Sequence, residues 1–247
     1  MDRILVIGDS CTDVYTYCKT NRLAPDKPVP IVEVVKVTDN PGMAFNVFCN
    51  AAALVGKEVD IATNDNYTQV TKNRYVDKVS NHMFLRVDSS VKIERISSIT
   101  DVSFDYDTVI ISDYNKGFLT EEDIEYICEM HPRVFLDTKK LLGPWAKGAK
   151  FIKINNHEYE RSHEFIDKYL KDKVIQTLGS KGCLYQGDIY PTKSIEAFDL
   201  SGAGDTFMAC LAVSYTKDQN IKKAIKYANK GATWVVRRRG TTTILPG

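Results

Sequence analysis

The sequence predicts a doubly wound α/β fold, built on a mostly parallel sheet that carries a small β lid. Short apolar runs recur along the chain, as in strands buried on both faces of a parallel sheet. Many of these runs end in Asp, Asn or Gly, and helix-patterned segments separate them. Two β-like stretches, at about residues 14–37 and 72–88, fall outside this rhythm. We expect them to form the lid.

The composition predicts one kinase-sized domain over residues 1–247, without a nucleic-acid or membrane partner. Of the residues, 43% are hydrophobic and 26% charged, and the net charge is +1, so no overall field favours either partner. The six cysteines form no C-x-x-C pair, and the four histidines lack metal-binding spacing. With no signal peptide or long apolar run, we expect a soluble, cytoplasmic protein.

The first strand is predicted at Ile4 to Ile7, an apolar run that ends in Gly8-Asp9. Asp13 follows, in what we expect to be the loop after this strand. Such loops hold ligands in α/β sheets, so Asp13 is a candidate partner for ligand hydroxyls. Its alternative is an ordinary loop or capping role.

The next segments are a predicted lid strand and a helix. Pro25 to Pro30 holds three prolines and cannot be helical, and Ile31 to Val37 then alternates like a strand. Ala44 to Val55 has helical spacing, with Gly56 as its stop. Asn46 lies on the polar side of its first turn and could reach a ligand.

The remaining elements continue the β–α pattern. A hairpin is predicted around Ser80-Asn81, a helix after Thr120, and a second hairpin around Gln186-Gly187. Further core strands are predicted at 59–62, 105–111, 133–136, 151–154 and 174–178, and further helices at 157–169, 207–215 and 221–236.

One stretch, Asp199-Leu200-Ser201-Gly202-Ala203-Gly204-Asp205-Thr206, carries the clearest chemical signal. Its two glycines let backbone N–H groups converge, and the helix that follows adds its positive end, so the turn is suited to an anion. Asp205 would repel that anion unless it takes a proton from a group that attacks it. The stretch therefore predicts an anion hole with a general base, and the alternative is a capped helix after a glycine turn.

Several familiar motifs are excluded. A dinucleotide fingerprint would need glycine where Phe207 stands, and the sequence contains no P-loop, no G-x-S-x-G and no protein-kinase signature.

The remaining motifs resemble the ribokinase (PfkB-type) family of sugar kinases, and most closely the kinase domains that act on heptose 7-phosphate. The likeness runs from residue 4 to about 245. The matching motifs are D-x-x-G-A-G-D at 199–205, G-D-x-x-x-D at 8–13, the proline-rich segment at 24–30, S-D-Y-x-K-G at 112–117, N-x-x-E at 155–158, and T-K-x-R with L-R-x-D at 71–74 and 85–88.

The resemblance implies a role for each matching residue. Asp205 is expected to be the base, and Gly202, Ala203 and Gly204 the N–H cradle for the transferred phosphoryl group. Glu158 is expected to organise Mg²⁺ through water, with a helix cap as its alternative. The expected sugar ligands are Asp13, Gly42 and Asn46. The expected ligands for a phosphate already on the acceptor are Lys72, Arg74, Arg86 and Lys116. The alternative for the first three is a solvated strand face, and for Lys116 an ion pair with Asp113 in its loop. The expected nucleotide-binding residues are Asn155, Thr177, Gly179, Gly182 and Asn229.

The implied function is ATP-dependent phosphorylation of a sugar or sugar phosphate, with a heptose 7-phosphate-like acceptor favoured. The implied cofactors are ATP and Mg²⁺, and the need for a monovalent cation stays open. The alternatives are a kinase of an unphosphorylated sugar or nucleoside, and a weakly active relic that binds nucleotide or sugar. The apolar lid strand predicts a homodimer through the lid.

The chain departs from the family at several points. Gly42-Met43 stands where relatives have Gly-Gly, and Asp137-Thr138-Lys139 where heptose kinases have Asp-Pro-Lys. The segment after Asp65 looks trimmed, because relatives carry a further helix and strand there. We also expect no nucleotidyltransferase domain after Thr243.

Overall fold

A computed structural model describes residues 2–193, 195 and 198–245. These residues form an eight-stranded, mostly parallel sheet and a second sheet of four strands, which confirms the predicted fold class. Within the described residues, the strands are β1 (Ile4–Gly8), β2 (Ser10–Leu23), β3 (Pro30–Met43), β4 (Val59–Thr63), β5 (Thr71–Asp77), β6 (Met83–Asp88), β7 (Thr108–Asp113), β8 (Val134–Thr138), β9 (Phe151–Asn155), β10 (Val174–Thr177), β11 (Cys183–Tyr185) and β12 (Asp188–Tyr190). The helices are α1 (Ala44–Val55), α2 (Glu121–Met130), α3 (Asn156–Tyr169), α4 (Ala203–Asp218) and α5 (Ile221–Val235).

The large sheet has the strand order β12-β11-β10-β9-β8-β7-β1-β4 and is covered on both faces. In β1, Ile4 and Val6 pack into the hydrophobic cluster that contains α1, α4 and α5. Leu5 and Ile7 pack into the opposite cluster, with α2 and α3. Since side chains alternate along a strand, a strand between two helical layers must be apolar at every position. This explains the continuous apolar runs in the sequence.

The second sheet has the order β3-β2-β5-β6 and forms the lid. The predicted loop around Asp13 is wrong, because this residue lies inside the long strand β2. There it is aligned with Asn40 of antiparallel β3 and with Lys72 of parallel β5. Polar side chains made the segment look like a loop, but here they line the inner face of a sheet, where their partners come from distant strands.

Most predicted elements agree with the structure to within a few residues, and α1 has the predicted bounds. Strand β7 starts at Thr108 rather than at Asp105, because Asp107 accepts a hydrogen bond from the Arg3 N–H (2.8 Å) and Asp105 pairs with the Arg3 guanidinium. Strand β4 is an edge of the large sheet. Trimming after Asp65 stays a prediction. No helix among the described residues is long and apolar enough to span a membrane.

Candidate active site

The glycine-rich turn leads directly into α4. Gly202 has a φ of 75°, which favours glycine, and a Cβ atom there would lie 2.8 Å from the Asn46 side-chain nitrogen. Asp199 fixes the turn, because its carboxylate accepts hydrogen bonds from the N–H groups of Ser201 (2.9 Å) and Gly240 (3.0 Å).

Part of the predicted N–H cradle is used within the turn itself. The Ala203 N–H donates to the Leu200 carbonyl at 3.3 Å, so its predicted place in the cradle competes with this bond. The N–H groups of Gly204 and Asp205 have no acceptor among the described residues. They stand in the first turn of α4, where the helix dipole adds positive potential, and can receive an anion.

Asp205 is buried and held by two donors. Its carboxylate accepts hydrogen bonds from the Asn46 amide (2.9 Å) and from the Tyr114 hydroxyl (2.7 Å). Burial raises the pKa of Asp205 above its ordinary value, and the two hydrogen bonds oppose that rise. Tyr114 was not among the predicted site residues, although it lies in the S-D-Y-x-K-G motif.

Asn46 orients the carboxylate through a chain of amides. Its side-chain oxygen accepts a hydrogen bond from Asn50 at 3.0 Å, so its NH₂ group faces Asp205. The Asn50 oxygen in turn accepts from the Thr206 hydroxyl and from the Ile244 N–H. The predicted sugar contact of Asn46 remains a prediction, since one of its donors is already engaged.

The predicted sugar ligands Asp13 and Gly42 lie together on adjacent strands. A Cβ atom on Gly42 would stand 2.8 Å from an Asp13 carboxylate oxygen, so glycine is required for this approach. The Asp13 carboxylate accepts hydrogen bonds from Arg74 Nη1 (2.6 Å) and from the Thr241 hydroxyl (3.1 Å). Arg74 is therefore already paired with a carboxylate, which weakens its predicted role as a phosphate ligand.

The other predicted phosphate ligands surround Asp88. Arg86 binds this carboxylate through two nitrogen atoms, each at 2.8 Å. Lys72 is the cross-strand partner of Asp88, and its Nζ lies 4.9 Å from the centre of the Tyr114 ring. The pKa of Asp88 is lowered mainly by Arg86, with smaller contributions from Lys72 and Lys116. Arg86 thus pairs with the Asp88 carboxylate, and Lys72 and Lys116 add to the positive field around it.

Asp9 shapes the loop that carries Tyr114 and Lys116. This fully buried carboxylate accepts hydrogen bonds from the N–H groups of Tyr114 (2.6 Å), Phe118 (3.1 Å) and Lys116 (3.4 Å). Its pKa is raised, first by burial and then by the nearby Asp113. The first aspartate of G-D-x-x-x-D therefore positions the loop, a role that the sequence alone did not reveal.

A cleft of about 190 Å³ opens beside the turn, between α4, α5 and the β10–β11 region. It brings together Ala203, Gly204 and the predicted nucleotide residues Thr177, Gly179, Gly182 and Asn229. The Asn229 side chain is engaged, because its NH₂ group donates to the Tyr190 carbonyl at 2.9 Å. Asn155 does not line the cleft.

Asn155 and Glu158 form the capping box of α3. The Asn155 side chain accepts from the Glu158 N–H (2.9 Å), and the Glu158 carboxylate accepts from the Asn155 N–H (2.8 Å) and from Lys139. Glu158 therefore does cap the start of α3, which was the alternative to its role in organising Mg²⁺. The described residues offer no group of three or more His, Cys, Asp or Glu side chains that could hold a metal ion. The water-mediated role of Glu158 stays a prediction.

Two further features went unpredicted. Lys153, in the middle of the sheet, is buried and donates to Asp137 at 2.6 Å. Met43, which precedes α1, has φ 61° and ψ −132°, a region that is favourable only for glycine. Its side chain is 2% exposed and packs into the core.

Known proteins resemble the chain in sequence and in fold. Residues 138–247 match the family described as pfkB family carbohydrate kinase. The bifunctional protein HldE of a Nitratiruptor species is 31% identical over 294 aligned residues, which cover 98% of this chain and 63% of the relative. HldE of Helicobacter pylori is 29% identical, with 98% and 64% covered. Residues 138–247 of the chain thus resemble the PfkB-type carbohydrate kinases.

Solved PfkB-type and ribokinase structures share the fold at low sequence identity. A ribokinase from Thermotoga maritima has a TM-score of 0.75 at 17% identity, with 98% of this chain and 95% of that chain covered. Phosphofructokinase-2 from Escherichia coli, solved with potassium, has a TM-score of 0.70 at 12% identity, with 99% and 96% covered. At these identities the two structures show the fold that the chain adopts.

The chain spans less than two thirds of the length of the HldE relatives. The alignment with the Nitratiruptor protein is longer than the chain's 247 residues, so this PfkB-type relative has residues that the chain lacks.

Proposed function

We propose that this protein transfers the terminal phosphoryl group of ATP to a hydroxyl group of a sugar or sugar phosphate, and that its acceptor resembles heptose 7-phosphate. The observation that carries the proposal is the buried Asp205 carboxylate in the first turn of α4, beside two N–H groups with no acceptor in the described part of the chain. An anion site and a proton acceptor thus share one helix turn.

The reaction follows from this arrangement. The acceptor hydroxyl gives its proton to Asp205 while its oxygen forms a bond to the terminal phosphorus. The bond from that phosphorus to the bridging oxygen breaks, and its electron pair leaves with ADP. The N–H groups of Gly204 and Asp205, with the positive end of α4, stabilise the charge on the transferred group. Losing a positioned base costs about 100- to 10,000-fold in rate.

The cleft beside the turn supports the choice of donor. It is lined by four of the predicted nucleotide residues and reaches Gly204, where the terminal phosphate would lie. ATP is used with Mg²⁺ by this class of kinase, and such an ion is held mainly by nucleotide phosphates and water.

The lid supports a phosphorylated acceptor. Lys72, Arg86 and Lys116 all act on one carboxylate, Asp88, so positive charge exceeds negative charge there and could accept a phosphate. Lys72 also lies over the ring of Tyr114, whose hydroxyl donates to Asp205. The similarity to HldE proteins over 98% of the chain favours a heptose phosphate over a free pentose or nucleoside.

An acceptor panel tests the proposal. ADP release with Mg²⁺ is measured for hexoses, pentoses, nucleosides and their phosphates, with heptose 7-phosphate included. We expect turnover to be highest with the heptose phosphate. The variant Arg86→Gln should raise the KM of that acceptor and leave the KM of ATP unchanged, whereas Arg22→Gln, on an exposed part of β2, serves as control. An unchanged acceptor KM in Arg86→Gln would refute the phosphate subsite.

The alternative is a relic that binds nucleotide or sugar without turnover. Met43 supports it, because a side chain stands where relatives keep glycine. ATP binding without turnover of any acceptor in the panel would favour this alternative over the kinase.

A further inference from the structure

Lys153 is a buried lysine in a strand that is covered on both faces. It lies in the middle of β9, where its neighbours Ile152 and Ile154 face the α2–α3 cluster and Lys153 faces the side of α4. Its side chain is 5% exposed. Burying an ammonium group costs free energy unless an opposite charge pairs with it, so the buried Lys153 side chain requires a negatively charged partner.

The partner inside the protein is Asp137, on the adjacent strand β8. The two residues are in register, and Nζ donates to the carboxylate at 2.6 Å. An ammonium group has three N–H donors, and this bond uses one of them. Among the described residues, Asp137 is the one hydrogen-bond acceptor of Lys153.

The remaining donors lie against the anion turn. A methyl group built on Gly204 would stand 3.1 Å from Lys153 Nζ and within 4 Å of its Cε. Glycine at this position therefore leaves open the space between the turn and the ammonium group. A ligand oxygen in that space would contact the ammonium and the first-turn N–H groups together.

We propose that Lys153 is a catalytic residue, whose ammonium group contacts the phosphoryl group during its transfer from ATP. This assignment rests on the proposed kinase function. Asp137 acts as a positioning residue, because it holds the ammonium beside Gly204. In the transition state the charge on the phosphoryl oxygens is greatest, and a fixed cation in a buried site stabilises it more than it stabilises bound ATP.

The test compares three variants. Lys153→Met removes the charge. The double variant Asp137→Asn/Lys153→Met removes both charges, so that the buried carboxylate is not left with only the more distant ammonium of Lys139, at 3.7 Å. Lys150→Met, at an exposed lysine just before β9, is the control. For each, the Tm, the kcat, and the Kd values of ADP and of a non-hydrolysable ATP analogue are measured with Mg²⁺.

We expect both Lys153 variants to lose about 100- to 1,000-fold in kcat, as when one oxyanion donor is removed. The preference for the ATP analogue over ADP should also fall, while ADP affinity stays near that of the wild type. The double variant should recover the Tm that Lys153→Met loses, without recovering kcat or the nucleotide preference.

A double variant with wild-type kcat and nucleotide preference would show that the ion pair is purely structural, and would overturn the assignment. A wild-type protein that binds the two nucleotides equally would overturn it too. Failure of the kinase proposal gives a different result, because the wild-type protein would then turn over no acceptor. The preference for the ATP analogue over ADP would still test whether Lys153 contacts the terminal phosphate.

Discussion

The Asp205 carboxylate is buried and is held by hydrogen bonds from Asn46 and Tyr114. Replacing it with Asn keeps the shape and removes the proton acceptor. We expect Asp205→Asn to lower kcat by about 100- to 10,000-fold and to leave the Kd of ATP nearly unchanged. The checks are the coupled ADP-release assay and calorimetric titration with ATP. A variant that keeps near-normal kcat would exclude Asp205 as the base.

Tyr114 should set the pH range in which Asp205 works. The base must be ionised, and burial raises its pKa, so activity should fall with decreasing pH at a higher pH than for an ordinary aspartate. The Tyr114 hydroxyl stabilises the ionised form, so Tyr114→Phe should raise that pKa further and move the acid limb of kcat upward by about one pH unit.

The measurement is kcat from pH 4 to 9 for the wild type, Tyr114→Phe and the control Tyr169→Phe, whose ring is half exposed. An acid limb that stays in place, or moves to lower pH, in Tyr114→Phe would contradict the assignment.

At position 43, glycine should give a more stable protein than alanine, which is the reverse of the usual order. Its backbone lies in a glycine-only region, which costs other residues about 1–3 kcal/mol. We expect Met43→Gly to unfold at higher urea concentration than Met43→Ala, although both lose buried side-chain packing. Within α1 the ranking is normal, so Ala53→Gly should destabilise the protein by about 1 kcal/mol. Greater stability of Met43→Ala would show that the backbone relaxes at this residue.

At the scale of elements, apolar periodicity predicted the core well. The bounds of α1 and the positions of the parallel strands follow from residues that must face a helix layer. The lid was harder, because the polar side chains of β2 make contacts on distant strands and on the tail. Asp13, for example, accepts hydrogen bonds from Arg74 and Thr241, and the sequence near Asp13 gives no sign of these contacts.

The candidate site was predicted in part for the same reason. Motifs pointed to Asp205, to the glycine-rich turn and to residues that line the cleft beside it, since these residues lie close together in the sequence or follow strand ends. Tyr114, Asp9 and Lys153 were missed, because their roles depend on which oxygen or nitrogen lies beside them in space.

The outer face of the lid predicts self-association. Val37, Thr16, Tyr75 and Leu85 form one cross-strand row from β3 to β6. Val37 is 55% and Leu85 56% exposed, and Val34 lies nearby with 58%. Such a sheet face is stabilised by an apolar partner, and a second copy of the lid would provide one.

We therefore expect a dimer in sedimentation velocity at micromolar concentration, and a monomer for Val37→Lys/Leu85→Lys, because buried lysines would oppose association. Val79→Lys, in the turn between β5 and β6, is the control and should stay dimeric. A wild-type protein that sediments as a monomer would refute the lid interface.

At the scale of the whole molecule, the proposed donor and acceptor sites come from different parts of the chain. The lid cations, Asp13 and Asn46 precede residue 117, whereas the cleft and the glycine turn follow residue 150. The family match covers residues 138–247, which contain the donor part. The hydrogen bond from Asn46 to Asp205 joins the two parts across 159 residues of sequence.

This division has a consequence for protein engineering. A chimera that takes its first part from a known sugar kinase would exchange the proposed acceptor surface and keep the proposed phosphoryl-transfer site intact. The Asn46–Asp205 junction is the contact that such a chimera must preserve. The same layout would let one lineage of enzymes acquire new acceptors by recombination near the middle of the gene, without rebuilding its chemistry.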